Sequence, residues 1–225
     1  MKKLINNEYI CIILARKGSK RIKNKNLVKI NGKPLIEYTL NSIIPIMPPS
    51  NIYISTNDEN VMRITKKYNI NFIKRPEKLC GDKSSSEDGI IHAIDKIKKE
   101  KNFKHLIFLQ VTSPLRDSTD IINCLKKYQK KKLDSIFSAY LAKPFIWVKT
   151  KKLQSLTFNY KKRERSQNIK NLIIENGAIF IFNVKKFLKS KNRMFGKFDY
   201  SEMEEFKSFD IDNFQDLKIV RKLLK

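Results

Sequence analysis

The chain has 225 residues, of which 41% are hydrophobic, so it can bury one sizeable core, and one α/β domain over residues 1–225 is the simplest organisation. No apolar run approaches the roughly 20 residues of a membrane-spanning helix, and the stretch Tyr9–Leu14 is too short for the hydrophobic region of a signal peptide. Three cysteines without metal-ligand spacing argue against a disulfide framework or a zinc site. We therefore expect a cytoplasmic protein with reduced thiols and no membrane partner.

The charge balance is strongly basic, because 48 Lys and Arg against 22 Asp and Glu give a formal net charge of +26. Such a charge attracts nucleic acid, anionic membranes and small anions without choosing among them. The excess is mostly lysine spread along the whole chain and accompanies heavy use of Ile and Asn, as an AT-rich coding sequence would favour. We interpret it as compositional drift and expect no specific nucleic-acid partner.

Short β-branched runs alternate with helical patterns, which is typical of βαβ units around a mostly parallel sheet flanked by helices. The predicted strands are, in chain order, Tyr9–Leu14, Asn51–Ser55, Asn71–Lys74, His105–Gln110, Ser135–Tyr140 and Ala178–Phe182. The predicted helices are Leu35–Ile44, Glu59–Tyr68, Glu87–Lys99, Ser118–Lys130 and Asn213–Leu224. Before the third helix, Ser84, Ser85 and Ser86 are candidate N-caps.

The α/β alternation breaks between Lys143 and Asn176. This stretch is polar and basic and contains the only tryptophan, Trp147. It is too long for an ordinary connection inside an α/β domain. We predict that residues 143–176 are an insertion that forms an arm or a small subdomain.

The first predicted strand runs directly into a loop that is dense in cations. The carboxyl end of a strand in an open α/β sheet is where such folds bind ligands. Gly18 permits a close backbone approach and Ser19 offers a hydroxyl. The loop is neither a Walker A nor a GxGxxG motif, and a solvated basic loop is the alternative interpretation. The cations that could neutralise a triphosphate are Arg16, Lys20, Arg21 and Lys25.

Two aspartates, Asp210 and Asp212, lie two positions apart just before the last predicted helix. In an extended segment both carboxylates face the same way, and Mg²⁺ is commonly held by one or two carboxylates together with phosphate oxygens. The pair is therefore a candidate metal site. In the alternative interpretation, Asp212 caps the helix and Asp210 is solvated.

Polar residues also follow two other predicted strands. Gln110 closes the fourth strand, where its amide can both donate to and accept from sugar hydroxyls. Arg75 precedes a proline, which favours an extended backbone and could direct its guanidinium toward phosphate. Ser86 could cap its helix and also contact a base or ribose.

At this point a family resemblance becomes specific. The segment LARKGSKRIKNKN at residues 14–26, followed by NGKPL at 31–35, resembles the nucleotide-binding signature of the acylneuraminate (CMP-sialic acid) cytidylyltransferases, a family that includes CMP-nonulosonic acid synthetases. Four further blocks resemble the same family in order: RPEKLCGD at 75–82 with the serines at 84–86, QVTSPLR at 110–116, RSQ at 165–167 with NGAIF at 176–180, and FDID at 209–212. The five blocks cover nearly the whole chain.

The resemblance implies a Rossmann-like nucleotide-diphospho-sugar transferase fold, with the 143–176 insertion as a dimerisation arm of a homodimer. It implies that CMP passes from CTP to the anomeric hydroxyl of a nonulosonic acid, with Mg²⁺ as cofactor and pyrophosphate released. Arg16, Lys25 and Asp212 would be catalytic, and Asp210 and Asp212 would hold the metal. The implied nucleotide-binding residues are Leu14, Ala15, Arg16, Ser19, Lys20, Lys25, Asn26, Arg75 and Ser86. The implied sugar-binding residues are Gln110, Lys143, Lys149 and Arg165.

The acceptor sugar is the least constrained part of this prediction. Ser166 and Ile173 depart from common family residues, and both lie in the region that resembles the arm and the wall near the sugar. Another acid sugar, such as 3-deoxy-manno-octulosonate, legionaminate or pseudaminate, stays an alternative. A sugar-1-phosphate nucleotidylyltransferase usually has a more glycine-rich loop, and a basic nucleic-acid-binding protein would not explain the paired aspartates. The general base also stays open between Asp212, solvent and a metal-bound water.

Overall fold

The computed structural model describes residues 5–224, in which strands and helices alternate over most of the length. The strands are β1 (Tyr9–Leu14), β2 (Lys29–Ile30), β3 (Lys33–Pro34), β4 (Ile52–Thr56), β5 (Asn71–Lys74), β6 (His105–Leu109), β7 (Ser135–Ala142), β8 (Trp147–Lys149), β9 (Leu153–Ser155), β10 (Leu172–Asn183) and β11 (Phe198–Glu202). The α-helices are α1 (Leu35–Ile43), α2 (Glu59–Lys67), α3 (Ser86–Ile97), α4 (Ser118–Lys130), α5 (Val184–Ser190) and α6 (Phe214–Leu223). No helix in residues 5–224 combines the length and apolarity needed to cross a membrane.

Seven strands form one sheet in the order β11-β7-β10-β6-β1-β4-β5. Only β10 is antiparallel to its neighbours, so the prediction of a mostly parallel sheet is confirmed. β1 lies near the centre and is buried on both faces, which explains its unbroken apolar sequence.

Helices cover both faces of this sheet. Alternate residues of β1 enter different cores: Cys11 and Ile13 pack with α1, α4 and α6, whereas Ile10 and Ile12 pack with α3 and α5. The isoleucine stripe of α3 contributes Ile90, Ile94 and Ile97 to the second core. The result is a three-layer α/β/α domain whose parallel strands all end at one edge.

The two short hairpins β2–β3 and β8–β9, the helix α5 and the strand β11 were not predicted, and β10 was predicted too short. α5 is a seven-residue, lysine-rich helix, and β11 is an edge strand whose sequence Phe-Asp-Tyr-Ser-Glu carries two charges. β10 begins at Leu172, six residues before the predicted start, because the strand continues across a bulge between Glu175 and Phe180. The predicted insertion therefore ends earlier, since residues 172–176 belong to the main sheet.

Residues 143–171, which we call the arm, connect β7 to β10. The arm contains the β8–β9 hairpin and a small aromatic cluster of its own. The Phe158 ring lies 4.9 Å from Phe145 and 5.2 Å from Trp147, both nearly edge to face, and Arg163 stacks 4.1 Å above Phe145. Local aromatic packing thus orders the arm although much of it is exposed.

Candidate functional site

A cleft of about 360 Å³ opens at the carboxyl edge of the parallel strands. It forms where the loop after β1 meets the turn before α3 and the segment before α6. It is lined by Arg16, Ser19, Lys20, Arg21, Lys25, Asp82 and Asp212. Residues far apart in the sequence therefore line one cleft at the sheet edge, where open α/β folds bind ligands.

The base of the loop after β1 is fixed by backbone contacts. The Ala15 amide donates to the Ser55 carbonyl at 3.0 Å, and the Ala15 carbonyl accepts from Thr56 Oγ1 at 2.6 Å. Asn26 Nδ2 donates to the Arg16 carbonyl at 3.0 Å and closes the loop. Gly18 has a φ of 89°, which only glycine adopts freely. The cationic side chains are thus presented on a defined backbone.

Asp82 pairs with two of the loop cations. Its carboxylate accepts from Arg16 Nη2 at 3.2 Å and from Lys20 Nζ at 2.5 Å. Arg16 Nη1 also donates to the Cys80 carbonyl. The loop is therefore tied on this side to the turn that precedes α3.

Asp212 pairs with the other two loop cations. Arg21 Nη1 lies 2.8 Å from its Oδ2, and Lys25 Nζ lies 3.3 Å from its Oδ1. Lys25 also donates to the Ile211 carbonyl at 2.8 Å, and its side chain is only 14% exposed. Partial burial acts to raise the pKa of Asp212, but Lys25 and Arg21 outweigh it and hold the pKa below its ordinary value.

Asp210 occupies a drier position than Asp212. Ser113 Oγ donates to its carboxylate at 3.4 Å, and the Ile211 amide donates to the Thr112 carbonyl at 2.9 Å. Burial raises the pKa of Asp210, and the charge of Asp212 adds to this, although Thr112 and Lys25 oppose it. The two carboxylates therefore interact electrostatically.

The interpretation of Asp212 as a helix cap is wrong, because Asn213 caps α6. Asn213 Oδ1 accepts from the Gln215 and Asp216 amides, and Asp216 returns the capping-box bond. The Asp212 side chain is left to face the cleft cations.

The donor set fits a magnesium ion. Two carboxylates that repel one another are relieved by a divalent cation between them, and Mg²⁺ takes one or two carboxylates with the remaining ligands from phosphate and water. Within residues 5–224 no cluster of three or more His, Cys, Asp or Glu has metal-binding geometry. A site built from Asp210, Asp212 and a bound phosphate is consistent with that finding.

Gln110 lies just past β6, beside the bulge in β10. Gly177 has a φ of 69°, and a Cβ at this position would lie 3.2 Å from Gln110 Nε2. The neighbouring Asn176 is buried, accepting from Ser138 Oγ at 2.6 Å and donating to Ser208 Oγ at 2.8 Å. The bulge thus leaves room for the Gln110 amide at the sheet edge.

Arg75 and Ser86 lie behind the loop. Arg75 is buried, and its Nε and Nη2 donate to the hydroxyl and carbonyl of Ser55, each at 3.1 Å. Capping of α3 by Ser86 is wrong: Ser85 is the N-cap and accepts from the Asp88 amide at 3.0 Å. Ser86 is the first residue of the helix, and a contact with nucleotide stays a prediction. Leu14 packs close to Gly89 of the same helix.

The predicted sugar-binding cations do not line the cleft. Lys143 follows β7 directly and donates to the Gln167 carbonyl at 2.7 Å, which fastens the base of the arm. Lys149 lies in β8 and Arg165 precedes a short turn, both exposed on the arm. The chain therefore does not bring these two side chains to the cations of the loop.

Two cleft residues, Arg21 and Asp82, were not given individual site roles from the sequence. Arg21 was only one of several cations in a basic loop, and Asp82 was only the end of a motif. The signal for Asp82 was present, since its carboxylate lies within the segment RPEKLCGD, which resembles a block of the cytidylyltransferase family. Its pairing with Arg16 spans 66 positions and depends on the fold.

Comparison with known proteins identifies the family of the chain. The sequence profile of the cytidylyltransferases matches residues 10–224. N-acylneuraminate cytidylyltransferase of Escherichia coli is 34% identical over 221 residues, which is 96% of this chain and 52% of that protein. The post-translational flagellin modification protein B of Campylobacter coli is 32% identical over 231 residues, 97% of this chain and 96% of that protein. The chain spans about half the length of the E. coli relative and nearly all of the C. coli one.

Solved structures share the fold at low sequence identity. A CMP:2-keto-3-deoxy-manno-octonic acid synthetase complexed with CTP superimposes with a TM-score of 0.69 at 16% identity, covering 96% of this chain and 98% of that one. The 4-diphosphocytidyl-2C-methyl-D-erythritol synthase of Anaerococcus prevotii superimposes with a TM-score of 0.66 at 13% identity, covering 96% and 97%. These similarities establish the Rossmann-like architecture. The profile over residues 10–224 and the 32% identical C. coli relative show that the chain belongs to the cytidylyltransferase family of nucleotidyltransferases.

Proposed function

We propose that this protein transfers CMP from CTP to the anomeric hydroxyl of a nonulosonic, sialic-acid-like sugar and releases pyrophosphate. The observation that carries the proposal is the cleft in which Arg16, Lys20, Arg21 and Lys25 converge beside Asp212. The cleft lies at the carboxyl edge of the sheet, and the chain belongs to the cytidylyltransferase family. The names of the E. coli and other relatives supply the acceptor class.

The loop cations would bind and orient the triphosphate. Attack on the α-phosphate builds negative charge on the phosphorus oxygens and on the departing pyrophosphate, so fixed cations lower the barrier. Lys25 suits this role, because the Ile211 carbonyl and Asp212 hold it in place and its side chain is largely buried. Arg16, fixed by the Cys80 carbonyl, would bind a second phosphate group.

Asp210 and Asp212 would hold Mg²⁺. When bound, the ion would neutralise phosphate charge and polarise the phosphoryl oxygens. Asp212 has a lowered pKa and is a weak base at neutral pH, so we assign it to metal and cation binding. The attacking hydroxyl then loses its proton to solvent water.

Gln110 would orient the acceptor sugar through its hydroxyls, since its amide lies at the sheet edge and both donates and accepts. Lys143, Lys149 and Arg165 are the candidates for the acceptor carboxylate. The alternative acceptor is another acid sugar such as 3-deoxy-manno-octulosonate, which the shared fold with a CMP-synthetase for the related 2-keto-3-deoxy-manno-octonic acid favours.

We also propose that the whole chain is one cytoplasmic catalytic domain that forms a homodimer through the arm. The support is the exposed apolar surface there: Leu153 and Leu156 are 61% and 63% exposed, and Trp147 is 41% exposed. A second copy of the chain would cover these side chains.

The experiment is a pyrophosphate-release assay with CTP, and separately with ATP, GTP and UTP, against a panel of acid sugars. We expect turnover with CTP and at least one nonulosonic acid, and loss of turnover when a chelator removes divalent ions, restored by Mg²⁺. Turnover only with 3-deoxy-manno-octulosonate would select the alternative acceptor. Absence of turnover with every sugar, in a folded preparation, would overturn the proposal.

A further inference from the structure

The four loop cations are divided between two carboxylates from different segments of the chain, which form two walls of the cleft. Arg21 and Lys25 pair with Asp212, which belongs to the candidate metal site, whereas Arg16 and Lys20 pair with Asp82. Asp82 is not part of the candidate metal site, and it lies in the turn before α3. Its position needs another explanation.

We propose that Asp82 is a placeholder for the nucleotide phosphates: it binds Arg16 and Lys20 in the free protein and yields both cations to the incoming triphosphate. This inference rests on the proposed function, because it takes CTP as the ligand. It adds a residue that sets how tightly the triphosphate binds and how readily pyrophosphate leaves.

Exposure makes the exchange inexpensive. The side chains of Lys20 and Asp82 are 77% and 49% exposed, and ion pairs in such positions contribute little to stability. A triphosphate offers several charged oxygens, and Arg16 can bind two of them at once. The cations therefore gain more from the ligand than they lose with Asp82.

The two walls differ in how firmly they hold their cations. Lys25 is 14% exposed and has a second partner in the Ile211 carbonyl, so it stays in place whether or not ligand is bound. Lys20 has only the carboxylate of Asp82 among the contacts found in residues 5–224. Arg16 keeps the Cys80 carbonyl as an anchor after it leaves Asp82. On the other wall Arg21 is also exposed, at 67%, but Lys25 keeps Asp212 paired, whereas both cations of Asp82 can turn to a ligand.

Charge arithmetic sets the direction of the effect. Four cations and two carboxylates give the cleft a net charge of 4 − 2 = +2, and removal of the Asp82 charge raises it to +3. Because Asp82 competes with phosphate for Arg16 and Lys20, its neutral replacement should bind triphosphate more tightly. Pyrophosphate should then leave more slowly.

The test compares Asp82→Asn with Glu77→Gln in the full chain. Glu77 lines a neighbouring pocket that shares Lys20 and Asp82 with the cleft, but it accepts from Asn57 Nδ2 at 3.0 and 3.1 Å and pairs with no loop cation within residues 5–224. Calorimetry measures the Kd of CTP and of inorganic tripolyphosphate at ionic strengths of about 0.01 M and 0.15 M. We expect Asp82→Asn to tighten both ligands about fivefold at low ionic strength, corresponding to one unit charge at about 4 Å in water, with a smaller gain at the higher value. Glu77→Gln should change neither Kd by as much as twofold.

Three results would overturn the inference. Weaker triphosphate binding by Asp82→Asn would mean that Asp82 organises the site rather than competing with the ligand. An equal gain in Glu77→Gln would mean that only overall charge matters, and an unchanged Kd with an unchanged melting temperature would show that Asp82 does not compete. Tripolyphosphate separates this inference from the proposed function. If wild-type protein binds tripolyphosphate but not CTP, the nucleotide assignment fails while the Asp82 exchange is still measured, and binding of neither overturns both.

Discussion

At the scale of residues, the cleft depends on the different surroundings of two similar carboxylates. Asp210 is mostly buried and has a raised pKa, whereas Asp212 is exposed and has a pKa lowered by Lys25 and Arg21. An i, i+2 pair therefore combines a carboxylate held by Ser113 and Thr112 with one that carries the cations of the loop. A metal placed between them would contact both phosphate and protein charge.

Asp212→Asn should remove catalysis while preserving nucleotide binding. The substitution keeps the shape but removes a metal ligand and leaves Lys25 and Arg21 free to bind phosphate. We expect kcat to fall roughly 100-fold or more, with KM for CTP unchanged or lower. Steady-state pyrophosphate release at saturating Mg²⁺ measures both values.

Glu202→Gln is the matched control, because Glu202 is an exposed carboxylate at the end of β11 outside the cleft lining. It should retain wild-type kcat. Full activity in Asp212→Asn, with an unchanged melting temperature, would remove Asp212 from the catalytic machinery.

At the scale of elements, the start of α3 contains two neighbouring serines with different roles: Ser85 caps the helix, and Ser86 is a candidate nucleotide-binding residue. Ser85 caps the helix through the Asp88 amide, and Ser86 is the first helical residue and only partly buried. Two neighbouring hydroxyls therefore have different partners, which the run of three serines could not indicate.

Ser85→Ala should change stability, whereas Ser86→Ala should change the KM for CTP. Loss of the cap should lower the free energy of unfolding by about 1 kcal/mol with little change in KM for CTP. Ser86→Ala should leave stability within about 0.5 kcal/mol and raise KM for CTP. Chemical denaturation and steady-state kinetics on both variants check this, and an unchanged KM in Ser86→Ala would exclude it from the nucleotide site.

The bulge in β10 gives a second element-scale prediction. Gly177→Ala places a Cβ 3.2 Å from Gln110 Nε2 and should displace that amide, raising KM for the acceptor severalfold. Gly32→Ala is the control, since Gly32 has a similar φ of 79° but no atom within 4 Å of the added Cβ. Both should lose about 1 to 2 kcal/mol of stability from left-handed backbone strain.

Acceptor titrations and thermal melts on both glycine variants distinguish these effects. A rise in acceptor KM in Gly32→Ala of the same size would attribute the change to general destabilisation. An unchanged acceptor KM in Gly177→Ala would mean that Gln110 does not contact the sugar.

At the scale of the whole molecule, the arm is the part that the main sheet does not explain. It has its own aromatic cluster, yet it leaves large apolar side chains in solvent. Its cations Lys149 and Arg165 lie outside the cleft of the same subunit. Association of two subunits through the arm would bury the exposed side chains.

The double variant Leu153→Asp, Leu156→Asp should therefore be a monomer, whereas the wild type should have twice the chain mass of 26.6 kDa. Charged side chains in a shared apolar surface are costly to bury. Leu223→Asp, on α6 away from the arm, should remain a dimer. Analytical ultracentrifugation decides the matter, and a monomeric wild type would contradict the arm as an interface.

Most of the fold followed from local pattern. The central strands are continuous apolar runs and the helices have clear apolar faces, so the alternation of elements along the chain and the mostly parallel sheet were predictable. β11 and α5 were missed because a charged edge strand and a seven-residue helix bury too little apolar surface to give a strong pattern. The early part of β10 was missed because a bulge interrupts its register.

The family, the cation-rich loop after β1 and the aspartate pair were predictable from sequence, because these are short motifs whose chemistry depends on residue type and spacing. Which carboxylate pairs with which cation became clear only from the fold. Arg16 pairs with Asp82, 66 positions away, and Lys25 pairs with Asp212, 187 positions away. Arg75 donates to Ser55 in the interior. Such pairings depend on strand order, loop curvature and burial, which no local pattern encodes.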